Sequence, residues 1–261
     1  MASASGTTHA QDDVPDCRLL VADGRTSPHS YDLLIDIDID EGTFEGCAEI
    51  GINVDGDDVT SVTLHMLGLD VSRVEWVKRT GAGEVVRTAA ARFDADAEGQ
   101  TMTCHFAEGV VVAGKGCLII QWSAPLSDGL CGLYKSTYVN KEGVERVMAV
   151  TQFEATDARR CFPCWDEPAA KATFDVTLVV PADRVAISNM PVKEKVSLEG
   201  GGRIAYHYET SPVMSTCTVT MILTLNTDPD WFRPCAHTAL SYPLSAPQSQ
   251  QARSSLIPLS K

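Results

Sequence analysis

Period-two alternation constrains this chain more than any other feature. In YDLLIDIDID, Ile35, Ile37 and Ile39 alternate with Asp36, Asp38 and Asp40. Successive side chains of a strand point to opposite faces, so this run predicts a half-buried strand with an acidic outer face. EGTFEGCAEIGINV repeats the pattern, with Phe44, Ala48, Ile50, Ile52 and Val54 inward and Glu45, Glu49 and Asn53 outward. The Glu41-Gly42 step suits a turn, and the two runs are expected to pair antiparallel. Further strands are expected at 61–67, 71–77, 84–93, 101–106 and 117–122, separated by Gly and Asp clusters. No helical period is visible before Asp157. These features predict an all-β, antiparallel, sandwich-like domain over 29–225. Three aspartates on one strand face could suggest a metal site, but such carboxylates are ordinarily only solvated, and that is the reading adopted.

The alternation changes character between Arg146 and Val180. Met148, Val150, Gln152 and Glu154 share one face of the expected strand, and Val147, Ala149, Thr151 and Phe153 share the other. An amide and a carboxylate ending an apolar face are poor core residues, because each would need its hydrogen bonds replaced after losing water. Gln152 and Glu154 therefore form a candidate polar recognition patch. Asp157 is placed to cap one short helical turn near 157–160, and Pro163 and Pro168 stop it. A strand over 173–180 follows, with Phe174, Val176, Leu178 and Val180 on one face.

Within the turn, Arg159, Arg160, Asp166 and Glu167 are expected to form local ion pairs. Cys161 and Cys164 make a C-x-x-C, but a structural zinc needs a second ligand pair and a thioredoxin-type site needs a βαβ context. Packing of Cys164 and Trp165 under the turn is expected instead. Tyr134 and Tyr138 could line a binding surface, although a tyrosine near a sheet edge more often packs with its hydroxyl in water.

The run TQFEATDARRCFPCWDEPAAKATFDVTLVVP, followed by RVAISNM and SPVMST, resembles the zinc aminopeptidases of the aminopeptidase N and puromycin-sensitive aminopeptidase family, most of all the cytosolic puromycin-sensitive branch. LCGLYKSTYVNKEG is similar to the family's segment ahead of a hairpin through Lys141 to Gly143. Cys161 departs from the family, which more typically has alanine there. The resemblance implies the family's large, saddle-shaped N-terminal β-domain, which precedes its catalytic domain. It also implies roles for two residues. The glutamate of the family's Q-x-E motif, here Glu154, binds the free α-amino group of a peptide, and the glutamine, here Gln152, lines the pocket for the first side chain. The competing reading is that Glu154 pairs only with Arg159 or Arg160.

The family's reaction is release of N-terminal amino acids from peptides by a zinc-activated water, with the zinc held by H-E-x-x-H on a helix. The six histidines, at 9, 29, 65, 105, 207 and 237, include no two that are four apart, and the family's G-x-M-E-N motif does not occur. No catalytic residue, metal ligand or cofactor is therefore expected in this chain, although the full-length family carries Zn. The expectation is a substrate-recognition domain, truncated before the catalytic domain and not catalytic alone. Its expected partners are peptide N-termini and an aminopeptidase catalytic domain. The alternative is a non-catalytic interaction or regulatory module, a decoy or fragment.

A net charge of -14 excludes nucleic acid and anionic membrane surfaces as expected partners. Residues 1–28 read as a disordered leader without a signal peptide, and nine cysteines, an odd number, suit a reducing, cytoplasmic setting. From Trp231 onward there is no Asp or Glu, and Pro and Ser become frequent. Residues 226–261 accordingly read as a divergent low-complexity tail, expected to be an alternative or frameshifted terminus.

Overall fold

A computed structural model describes residues 24–79, 85–140 and 142–225. Most of the expected leader, the expected tail and Lys141 at the hairpin turn lie outside the described residues. In chain order the strands begin with β1 (Thr26–Asp38), β2 (Thr43–Val54), β3 (Ser61–His65), β4 (Asp70–Arg79), β5 (Val85–Ala89), β6 (Arg92–Asp96) and β7 (Thr101–His105). They continue with β8 (Gly114–Pro125), β9 (Gly132–Val139), β10 (Glu145–Gln152), β11 (Thr173–Pro181), β12 (Arg184–Ser188), β13 (Val192–Ser197), β14 (Arg203–Tyr208) and β15 (Met221–Leu225). Two 3-10 turns, Ala158–Arg160 and Thr216–Thr218, complete the described secondary structure. The fold is all-β, as the alternation predicts. Among the described residues, no helix is long and apolar enough to cross a membrane.

The strands form three sheets, an eight-stranded one in the order β13-β14-β11-β1-β2-β8-β4-β5, a four-stranded one, β12-β15-β10-β9, and a three-stranded one, β3-β7-β6. β1 and β2 pair antiparallel, with Leu33 opposite Ala48 and Ile37 opposite Phe44. Their inward residues are the expected ones, and they join a core that also takes Val62, Leu64 and Met102 from the small sheet and Leu133, Ala149 and Leu223 from the four-stranded one. Gly46 makes this packing possible. A Cβ there would lie 2.2 Å from Trp122 Cζ2, so the indole occupies the space a side chain would need.

The large sheet is mostly antiparallel, as expected, and includes one parallel pair, β1 with β11, in which Leu33 lies opposite Val176. The edge of β1 away from β2 is filled only after the chain has crossed through β10 and its following turn, and β11 arrives from there in the direction of β1. The run 84–93 is not one strand. Ala90 donates its amide to Val74 O and Ala91 donates to His105 O, so the chain passes from β4 to β7 within two residues. Nor are the β1 aspartates only solvated. Asp38 Oδ1 accepts the amides of Asp40 and Glu41 at 3.1 and 3.0 Å and shapes the turn. Asp36 pairs with Arg203, which also donates to Ile37 O at 3.0 Å and Val179 O at 3.3 Å and so ties β1, β11 and β14 together. Burial pushes the Asp36 carboxyl up, and Arg203 opposes that rise.

Candidate functional site

β10 lies between β9 and β15, with Gln152 opposite Gly132 at its end. The expected facing is present there. Phe153 is buried, and Gln152 and Glu154 on either side of it are exposed. Gln152 Oε1 accepts the Glu154 amide at 3.1 Å, which holds the glutamine against the backbone of its neighbour. The Glu154–Ala155 peptide bond is cis. Among the described residues, the Glu154 carboxylate makes no hydrogen bond or ion pair.

The arginines that could have taken this carboxylate are used elsewhere. Arg160 Nε donates to Asp157 Oδ1 at 2.7 Å. That pairing also corrects the role expected of Asp157, which makes no side-chain cap to the turn it precedes. Arg159 is buried, and its Nε donates to Asp166 Oδ2 at 3.0 Å while its Nη1 donates to Gln100 Oε1 at 3.1 Å. Arg160 is thus paired with Asp157 rather than with Asp166 or Glu167.

Asp166 is the centre of a buried network that sequence reasoning found only in part. Its Oδ1 accepts from Thr216 Oγ1 at 3.0 Å, and its amide donates to His65 Nδ1 at 3.1 Å. Burial pushes its carboxyl up, and the hydrogen bonds from Arg159 and Thr216 oppose that rise. One residue earlier, the Trp165 amide donates to the Tyr31 hydroxyl oxygen at 3.1 Å. Trp122 Nε1 donates to Cys161 O at 3.0 Å, and His65 and Cys164 exchange backbone hydrogen bonds. The turn after β10 is therefore fastened to β1, β3 and β8 and to the second 3-10 turn. Tyr31, His65, Gln100, Trp122 and Thr216 carry no local signal for this task, since each lies far along the chain from the groups it meets.

Cys161 and Cys164 pack as expected, both buried with free thiols. Burial pushes both thiols up, and it pushes the Cys104 thiol up to about 12. Thiolate is the reactive form, so iodoacetamide at about pH 8 is expected to spare Cys104, Cys161 and Cys164 in the folded protein and to modify them once it is unfolded. Peptide mass mapping checks this, and native labelling of Cys161 or Cys164 would show that the turn opens. Tyr134 and Tyr138 are half-buried, and the Tyr138 hydroxyl lies 3.2 Å from Thr224 Oγ1 across the sheet instead of being left to water.

The described residues do not fit a zinc site. His65 Nδ1 accepts the Asp166 amide, His207 Nδ1 lies 2.9 Å from Thr177 Oγ1, and His105 Nε2 lies 3.0 Å from Asp94. Among the described residues, no three His, Cys, Asp or Glu side chains converge as metal ligands would.

The family described as the peptidase M1 N-terminal domain matches residues 27–217. The chain is similar to Aminopeptidase M1 of Arabidopsis thaliana, 39% identical over 198 residues that cover 76% of this chain and 22% of that protein. It is also similar to Aminopeptidase M1-B of Oryza sativa subsp. japonica, 40% identical over 200 residues covering 76% of this chain and 21% of that one. Endoplasmic reticulum aminopeptidase 1 of Homo sapiens is 35% identical over 196 residues, 75% of this chain and 20% of its own length. The chain thus spans about a fifth of the length of the curated relatives it matches. With a match of this extent, the chain belongs to the family of the peptidase M1 N-terminal domain.

Proposed function

We propose that this chain is the substrate-recognition β-domain of a zinc aminopeptidase-type protein, that it binds the free α-amino end of peptides through Glu154 with Gln152 beside it, and that these 261 residues alone do not hydrolyse peptides. One observation carries the reading. A carboxylate stands exposed and unpaired among the described residues at the end of β10, while both neighbouring arginines are committed elsewhere. A charge-assisted hydrogen bond from an ammonium to such a carboxylate selects a free N-terminus over an acylated one. Exposure to water keeps the interaction weak. The lack of any H-E-x-x-H in the 261 residues supports the non-catalytic part of the reading, and the seven described cysteines, all free, support a reducing, cytoplasmic setting.

Titration of the isotopically labelled chain with a short peptide tests the binding. Shifts at Gln152 and Glu154 are expected with a free amine and not with its N-acetylated form. Glu154→Ala should abolish them while changing stability by less than about 0.5 kcal/mol, as for an exposed residue without partners. Equal shifts with the acetylated peptide would refute the recognition role. Hydrolysis of an aminoacyl fluorogenic substrate, with zinc quantified in the same sample, tests the rest. Chelator-sensitive turnover by the pure chain would overturn the non-catalytic reading.

A second reading, docking to an aminopeptidase catalytic domain as an interaction or regulatory module, is favoured by the apolar residues Leu130 and Val139, which are 76% and 67% exposed near the start and at the end of β9. Sedimentation of the chain with a purified catalytic domain tests it, and independent sedimentation would dismiss it.

A further inference from the structure

A cleft of about 550 Å³ lies away from Glu154, between the turn that joins β1 to β2 and the four-stranded sheet. That volume suits a small molecule. Lys135 from β9, Arg146 from β10 and Arg184 from β12 line it, together with Asp40, Glu145 and the apolar Leu225. Arg146 lies six residues before Gln152 on the same strand, which places the two about 20 Å apart. The cleft and the peptide-end site are therefore separate.

The cations of this cleft are under-compensated. The Arg184 side chain is only 12% exposed, and its guanidinium donates to Val147 O at 3.3 Å. Its nearest carboxylates are Asp183 at 3.6 Å and Asp40 at 3.8 Å, both largely in water. The Nε atoms of both Arg146 and Arg184 are buried without a hydrogen-bond partner. Among the described residues, Arg146 has no ion pair, and neither has Lys135. Three cations thus line one open cleft of a strongly acidic chain, and the carboxylates that face them are solvent-screened. A planar guanidinium beside an ammonium is a recurring means of holding carboxylate or phosphate oxygens.

We propose that this cleft binds a small oxyanion, a molecule presenting a carboxylate or phosphate group to Lys135, Arg146 and Arg184, with its body against Leu225. Glu145 and Asp40 act against the ligand and keep its affinity modest.

The test is a titration of the purified, isotopically labelled chain with inorganic phosphate and, separately, with citrate, at constant ionic strength set with chloride. Saturable shifts are expected around Asp40, Lys135, Arg146 and Arg184, with none at Glu154. The arm that saturates at lower concentration distinguishes phosphate from carboxylate chemistry. Arg146→Gln should weaken binding about tenfold. Two exposed substitutions that leave the fold alone give opposite signs: Lys135→Gln should weaken binding several-fold, and Glu145→Gln should tighten it. Linear, unsaturated shifts with both anions, or affinities indifferent to Lys135→Gln and Glu145→Gln, would overturn the proposal. Failure here leaves the Glu154 reading intact, because the two sites are read from different resonances.

Discussion

Asp166→Ala is expected to lower the unfolding free energy by about 3–5 kcal/mol, the cost of leaving a buried charge without its partner. Asp166 and Arg159 have side chains only 1% and 2% exposed, so the orphaned guanidinium could not turn to water. The substitution also strips Thr216 Oγ1 and the Arg159 amide of their acceptor, and both groups are buried. Urea unfolding followed by tryptophan fluorescence measures the effect as a lower midpoint at unchanged slope. A double substitution, Asp166→Ala with Arg159→Met, should cost less than Asp166→Ala alone, because it removes the unpaired charge and fills part of the space with an apolar side chain. A single-mutant loss below about 1 kcal/mol would mean that water reaches Arg159 and that the network is peripheral.

What was legible in the sequence is what alternation alone decides. It placed Ile35, Ile37 and Phe44 inside, and it placed Gln152 and Glu154 together on an exposed face, because a strand's facing follows from its own residues. Direction and partner do not follow from alternation. The parallel pairing of β1 with β11 depends on the chain crossing through β10 before it returns, and the division of 84–93 between two sheets depends on the carbonyls of Val74 and His105 that meet Ala90 and Ala91. The fate of Asp157 was a competition between a backbone amide and the Arg160 guanidinium, and the charged donor won. The openness of Glu154 was undecidable for a related reason. It rests on Arg159 being drawn inward by Asp166 and Gln100, and Gln100 is 59 residues away in the chain. The oxyanion cleft gathers Lys135, Arg146 and Arg184 from three strands, so no local spacing announces it.

Phe153→Ala is expected to cost about 3–5 kcal/mol, and it joins the fold to the candidate site most directly. The ring is 2% exposed and packs edge-on against Phe162 at 5.9 Å between centroids, and Phe162 in turn meets Tyr31 edge-on at 6.1 Å. Tyr31 stacks on Phe174 at 4.8 Å, so the series reaches from the end of β10 into the centre of the large sheet. Truncating Phe153 removes the first ring and leaves a void that neighbours fixed by the Asp166 network cannot readily fill. Phe153→Leu keeps most of the volume and should cost less, about 1.5 kcal/mol. Gln152 and Glu154 flank this anchor, and Phe153 O accepts the Asp157 amide at 3.0 Å that shapes the following turn. Without the ring, the two polar side chains lose the fixed backbone that aims them outward. Phe153→Leu should therefore retain peptide-amine shifts at Glu154, whereas Phe153→Ala should weaken them even under conditions where it remains folded. Hydrogen exchange at the Glu154 and Asp157 amides gives the independent measure, with faster exchange expected in Phe153→Ala and near-native rates in Phe153→Leu. Native exchange rates in Phe153→Ala would show that the backbone of the turn is held by the Asp166 network alone, and the aromatic series would then contribute stability without positioning the site.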